Sequence, residues 1–164
     1  MASFYRGAVV DVDAIRQLPS LPETEVELKA MANYLGVGES SIYLRERATE
    51  ANVKSISLDR AQVITFATHG LLSGELKGLA EPALVLTPPN IDTGRDNGLL
   101  TASEVAQLKL DADWVILSAC NTAAGDAPGA SGLSGLAKAF FYAGARALLV
   151  SHWPVESHAA TALT

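Results

Sequence analysis

The sequence predicts an α/β domain whose mostly parallel sheet is flanked by helices on both faces. Two observations carry that prediction. Short apolar runs of strand length alternate with stretches in which apolar residues recur every three or four positions, the mark of strand–helix–strand units. The composition agrees: 49% of the 164 residues are apolar and 18% are charged. That is enough to bury a sizeable core in one domain, and too apolar for a disordered chain.

The elements follow in order. Residues 1–22 are mixed in character, and Pro19 and Pro22 bracket a linker, so 1–22 reads as an N-terminal segment and linker and 23–164 as the domain. Thr24 and Glu27 have the spacing of a capping box. Leu28, Met31, Ala32 and Leu35 then share one helical face, and Gly36 stops the helix. Residues 41–44 predict a short strand, and 49–58 predict a second helix capped by Thr49. The apolar run 61–68 predicts a strand closing on His69 and Gly70. Glycine and proline punctuate 70–98, with one strand expected at 83–86. Thr101 and Glu104 form a further capping box, opening a helix through Leu108.

The run 114–120 predicts a strand that ends at Cys120, followed by a loop of small residues over 121–131. Leu133, Leu136, Ala137, Phe140 and Phe141 make a helical stripe, stopped near Gly144. Residues 147–151 predict a strand beside the 114–120 strand, joined to it by a right-handed crossover and broken at Pro154. From Glu156 a helical pattern reaches the last residue with no cap and no following element, and no strand precedes the first helix. The expectation is a piece of a larger protein, incomplete at both ends.

Several function classes are excluded. The formal charge is −6, from 12 basic and 18 acidic residues with no basic cluster, so nucleic acid is not an expected partner. One cysteine forms no internal disulfide, which suits a reducing compartment. Residues 1–7 lack the apolar stretch of a secretory signal, and no apolar run has the length of a membrane span. A soluble cytoplasmic protein with no membrane partner is expected. Neither G-x-x-x-x-G-K-[ST] nor G-x-G-x-x-G occurs, and residues 132–135 lack the spacing of a G-x-S-x-G elbow. One cysteine and three scattered histidines do not make a structural zinc site. Neither a cofactor nor a metal is expected.

What remains is a thiol and an imidazole. His69 and Cys120 each close an apolar run where the chain turns polar and glycine-rich. If the two strands lie side by side and parallel, both residues emerge at the carboxyl edge, where open α/β sheets place their sites. A thiol is a useful nucleophile at neutral pH when a neighbouring base takes its proton. A lone strand-end cysteine is usually a small buried hydrophobe, so the argument rests on the pair. Gly70 lets a substrate carbonyl approach the backbone, and its N–H joins that of Cys120 as a candidate oxyanion donor. Trp153, beyond the last strand, is a candidate wall for a substrate pocket, weighed equally against a role in covering the core. Asp126 and Glu156 are the acidic candidates for reading a basic substrate side chain, each weighed against plain surface charge. His152 and His158 have no comparable setting.

Five ordered segments together resemble the CHAT domain. They are Phe66-Ala67-Thr68-His69-Gly70, Gly98-Leu99-Leu100-Thr101-Ala102-Ser103-Glu104, Leu117-Ser118-Ala119-Cys120-Asn121-Thr122, Gly135-Leu136-Ala137-Lys138-Ala139-Phe140 through Ala143-Gly144-Ala145, and Ser151-His152-Trp153-Pro154-Val155. The resemblance runs from about residue 18 to the C-terminus. CHAT domains are caspase-like modules, often fused to tetratricopeptide repeats in bacteria, and related to caspases, separases and gingipains. The resemblance implies a caspase-like fold and a cysteine endopeptidase acting on a protein or peptide substrate, under the control of a fused or associated domain. It makes His69 the catalytic base and Cys120 the nucleophile, with Gly70 and Cys120 as oxyanion donors and Ser151 and Trp153 lining the primary specificity pocket. The caspase signature Q-A-C-[RQG]-G is replaced by Ser118-Ala119-Cys120-Asn121-Thr122, so a preference for aspartate is not implied. The acidic residue after the Trp-x-Val run is Glu156. By the same resemblance the chain lacks the opening strand and closing part of a full domain. The alternative is a catalytically silent caspase-like interaction or regulatory module.

Overall fold

The computed structural model describes residues 10–90, 96–118 and 131–150. In chain order the elements are α1 (Val12–Arg16), α2 (Glu23–Leu35), α3 (Glu50–Ser55), β1 (Val63–Ala67), β2 (Gly70–Leu71), β3 (Ala83–Val85), β4 (Leu99–Thr101), α4 (Ala102–Val105), β5 (Trp114–Ser118), α5 (Ser131–Ala143) and β6 (Ala147–Val150).

The three longest apolar strands form a parallel sheet in the order β1-β5-β6. Strand alternation sends Ile64, Phe66, Val115 and Leu117 to one face, where they are buried with Leu136, Ala139, Phe140 and Ala143 of α5. The Phe66 and Phe140 rings meet at a 5.7 Å centroid distance, tilted by 46°. Residues of the opposite face reach α2: the Thr65 hydroxyl lies 3.6 Å from Met31 Sδ, and the Ser118 hydroxyl donates to Glu27 Oε2 at 3.1 Å. Helices therefore cover both faces of a parallel sheet, as the sequence predicts.

A second, antiparallel sheet runs β2-β3-β4. Its core gathers Ile15, Leu79, Ala83, Val85 and Leu99. Sequence patterning located only its middle strand, because β2 and β4 are two and three residues long, too short to display a period of two. Helix α3 is tied to this sheet by a buried carboxylate. Glu50, 1% exposed, accepts from the N–H groups of Asn97 and Gly98 at 2.9 and 3.2 Å, and pairs with Lys54. Lys54 also meets Glu104 at 2.9 Å and Asp96 at 3.6 Å.

Local readings are corrected at several points. The Thr24/Glu27 capping box does not form: α2 starts at Glu23 with Pro22 at its N-cap, the Thr24 hydroxyl donates backwards to Leu21 O, and Glu27 is engaged with Ser118. Gly36 does end the helix, in the left-handed conformation. Residues 41–44 are not a strand; 3-10 turns at Glu39–Ser41 and Arg45–Arg47 flank them, and the Arg47 guanidinium stacks 4.7 Å from the Tyr43 ring. Thr49 caps α3 as expected, and the Thr101/Glu104 capping box is complete, though both helices are shorter than expected. On α5, Phe140 is fully buried but Phe141 is half exposed. Helix α1 lies inside the stretch read as segment and linker. Asp11 accepts from the Ala14 N–H to cap it, and Ile15 is 3% exposed.

Candidate active site

Pairing places the two strand ends together. The β1–β5 register runs from Val63 opposite Trp114 to Ala67 opposite Ser118, so both strands reach the carboxyl edge in step. His69 stands two residues beyond Ala67, and Cys120 follows Ser118 by two in the sequence. His69 and Gly70 are among the described residues. Cys120, Asp126, Ser151, Trp153 and Glu156 lie outside them, as do the loop over 121–130 and the helical pattern from Glu156.

His69 is half buried, and its Nε2 lies 2.7 Å from the carbonyl oxygen of Pro19. A carbonyl only accepts, so this contact requires the proton on Nε2. In the neutral ring the lone pair then sits on Nδ1, the nitrogen left to take a proton. The backbone is fixed as well. His69 C=O accepts from the Val85 N–H at 2.8 Å, and the Thr68 hydroxyl donates to Val85 C=O. Strand β3 thus braces the turn that carries the imidazole.

The same ladder orients Gly70. Gly70 faces Leu84 in an antiparallel pair, and the bond from Val85 N–H to His69 C=O sits one residue before it. Gly70 and Leu84 therefore occupy a non-hydrogen-bonded position, and the Gly70 N–H turns away from β3. The β2–β3 ladder therefore leaves this N–H without a cross-strand partner.

Two contributors escaped sequence reasoning. Pro19 acts through a main-chain carbonyl, which no residue type advertises; its proline ring read only as a linker boundary. Glu27 read as a capping residue, but its carboxylate holds Ser118 at the end of β5. The spacing of a failed capping box gave no sign of that contact. Among the described residues no group of three His, Cys, Asp or Glu side chains could hold a metal ion, and no helix is long and apolar enough to cross a membrane.

A family model described as the CHAT domain matches residues 9–164. No curated protein and no solved structure matches the chain.

Proposed function

The chain belongs to the CHAT-domain family of caspase-like peptidases, and on that premise we propose that it is a cysteine endopeptidase domain working through His69 and Cys120. The observation that carries the reading is the parallel register of β1 on β5, which ends both strands at one edge. His69, its Nε2 proton engaged by Pro19 O, takes the Cys120 thiol proton on Nδ1. The thiolate attacks the substrate carbonyl carbon, forming a C–S bond, and the N–H groups of Gly70 and Cys120 receive the oxyanion. The C–N bond then breaks as His69 returns the proton to the leaving amine. Water hydrolyses the thioester in the reverse sense, with His69 as base, and frees the thiol.

Ser151 and Trp153 line the primary pocket in this reading, and Asp126 and Glu156 are the groups that would favour a basic side chain. The substrate is a protein or peptide, the controlling partner a fused or associated domain such as tetratricopeptide repeats, and the setting cytoplasmic. The test is Cys120→Ala in the full chain. Cleavage of a co-expressed protein partner should vanish while the fold, read by circular dichroism, stays native; cleavage that survives ends the proposal. Failure of Cys120 to react with a thiol-directed probe would favour the silent regulatory module.

A further inference from the structure

The Pro19 carbonyl that engages His69 is a main-chain atom, so its place depends on what anchors the chain around it. Upstream, Ile15 is buried among Leu79, Ala83, Val85 and Leu99, and Leu18 packs against the same cluster. Arg16 adds a polar tie, its Nη2 donating to Pro89 O at 2.7 Å while its Nη1 pairs with Asp13. Downstream, Leu21 C=O accepts from both the N–H and the hydroxyl of Thr24, fastening the chain to the first turn of α2.

Val85 joins the two halves of this arrangement. Its side chain belongs to the cluster that buries Ile15, and its N–H holds the His69 carbonyl. One strand therefore fixes both the backbone of His69 and the arm that reaches round to the ring. A shift of the arm relative to β3 is a shift of the acceptor relative to the imidazole.

We propose that α1 is a positioning element for His69, with Ile15 and Arg16 acting through the Pro19 carbonyl to hold the ring in its Nε2-protonated form. Both are positioning residues, acting on the ring through a main-chain carbonyl. Their effect on catalysis rests on the dyad reading given above; their effect on the ring does not. Loosening the arm frees the ring to protonate on Nδ1, which removes the lone pair that accepts the thiol proton.

The experiment uses the full chain with Ile15→Ala and Arg16→Ala. Nitrogen-15 chemical shifts of His69 report its tautomer, and the rate of Cys120 alkylation by iodoacetamide reports the thiolate. The native chain should show Nε2 protonated. Ile15→Ala should give a mixed tautomer and slow alkylation by about tenfold or more, the scale on which contacts that orient a histidine act. Arg16→Ala, exposed and tolerant of change, should move both readouts in the same direction by less. If Ile15→Ala fails to fold by circular dichroism, Arg16→Ala decides alone. A folded variant with the native tautomer and native alkylation rate overturns the inference. A shifted tautomer with alkylation indifferent both to the arm and to His69→Ala upholds the positioning role and removes the dyad.

Discussion

The Pro19 carbonyl oxygen and His69 Nε2 lie 2.7 Å apart across fifty positions of chain. The contact settles which ring nitrogen carries the proton, and with it which nitrogen is left to work as a base. If His69 is that base, His69→Ala should lower kcat for a cleaved peptide by at least about a hundredfold, the lower range for a general base. The fold should survive, because the ring is only partly buried. Cleavage within a few-fold of the native rate would remove His69 from the mechanism.

The parallel sheet was legible because β1, β5 and β6 are apolar runs long enough to announce themselves, and because helical patterning separates β5 from β6. The antiparallel sheet was hidden by the brevity of β2 and β4. Helix α1, five residues long, is likewise too short for a periodic signal and draws its stability from Ile15 in a core built by distant residues. His69 and Gly70 could be named from their place after a strand. Pro19 could not, since a backbone carbonyl leaves no mark in residue type. At 41–44 the apolar letters were real, but among the described residues no strand pairs with them, and 3-10 turns take the chain instead.

Gly144 and Gly36 both close helices, at φ of 113° and 67°, yet alanine should cost different amounts at each. A Cβ on Gly144 would stand 2.2 Å from Leu110 O, whereas nothing lies within 4 Å of one on Gly36. Gly36→Ala pays only for the left-handed backbone, about 1–2 kcal/mol. Gly144→Ala adds a clash with main chain and should cost about 3 kcal/mol or more. Urea unfolding of the two variants measures the difference, and equal losses would show that the Leu110 turn yields freely.

Phe140 and Phe141 are adjacent in a stripe that sequence patterning treats alike. Phe140 is 0% exposed and packs on Phe66, while Phe141 is 50% exposed. Phe140→Ala should cost about 3–5 kcal/mol, the usual range for a buried phenyl ring. Phe141→Ala should cost about 1 kcal/mol or less, as surface changes do. Thermal melts compare them directly, and a larger loss at Phe141 would mean that this face is covered in solution.

The Glu50–Lys54–Glu104 cluster sets a pH dependence with a definite sign. Burial raises the Glu50 carboxyl above its ordinary value; the Lys54 ammonium opposes that rise and Glu104 adds to it. Burial also works to raise Glu104, but the Thr101 N–H, the Lys54 ammonium and the Thr101 hydroxyl outweigh it, and Glu104 is held below its ordinary value. Burial alone would depress Lys54, yet its two carboxylate partners lift it well above the ordinary lysine value. A raised acid such as Glu50 favours the fold at low pH and loses that contribution as pH climbs through its folded value. A depressed acid such as Glu104 contributes above the ordinary carboxylate range and loses it as pH falls through its folded value. Lys54→Met removes the cation that restrains Glu50 and leaves a carboxylate 1% exposed without an ionic partner. At neutral pH the variant should lose about 3–5 kcal/mol, the cost of breaking a buried pair. Toward about pH 5 the gap to the native chain should narrow, because Glu50, deprived of its cation, can take up a proton and shed the cost of an unpaired buried charge. Urea unfolding of both proteins at the two pH values checks this, and a gap that stays constant would show that Glu50 remains ionised without Lys54.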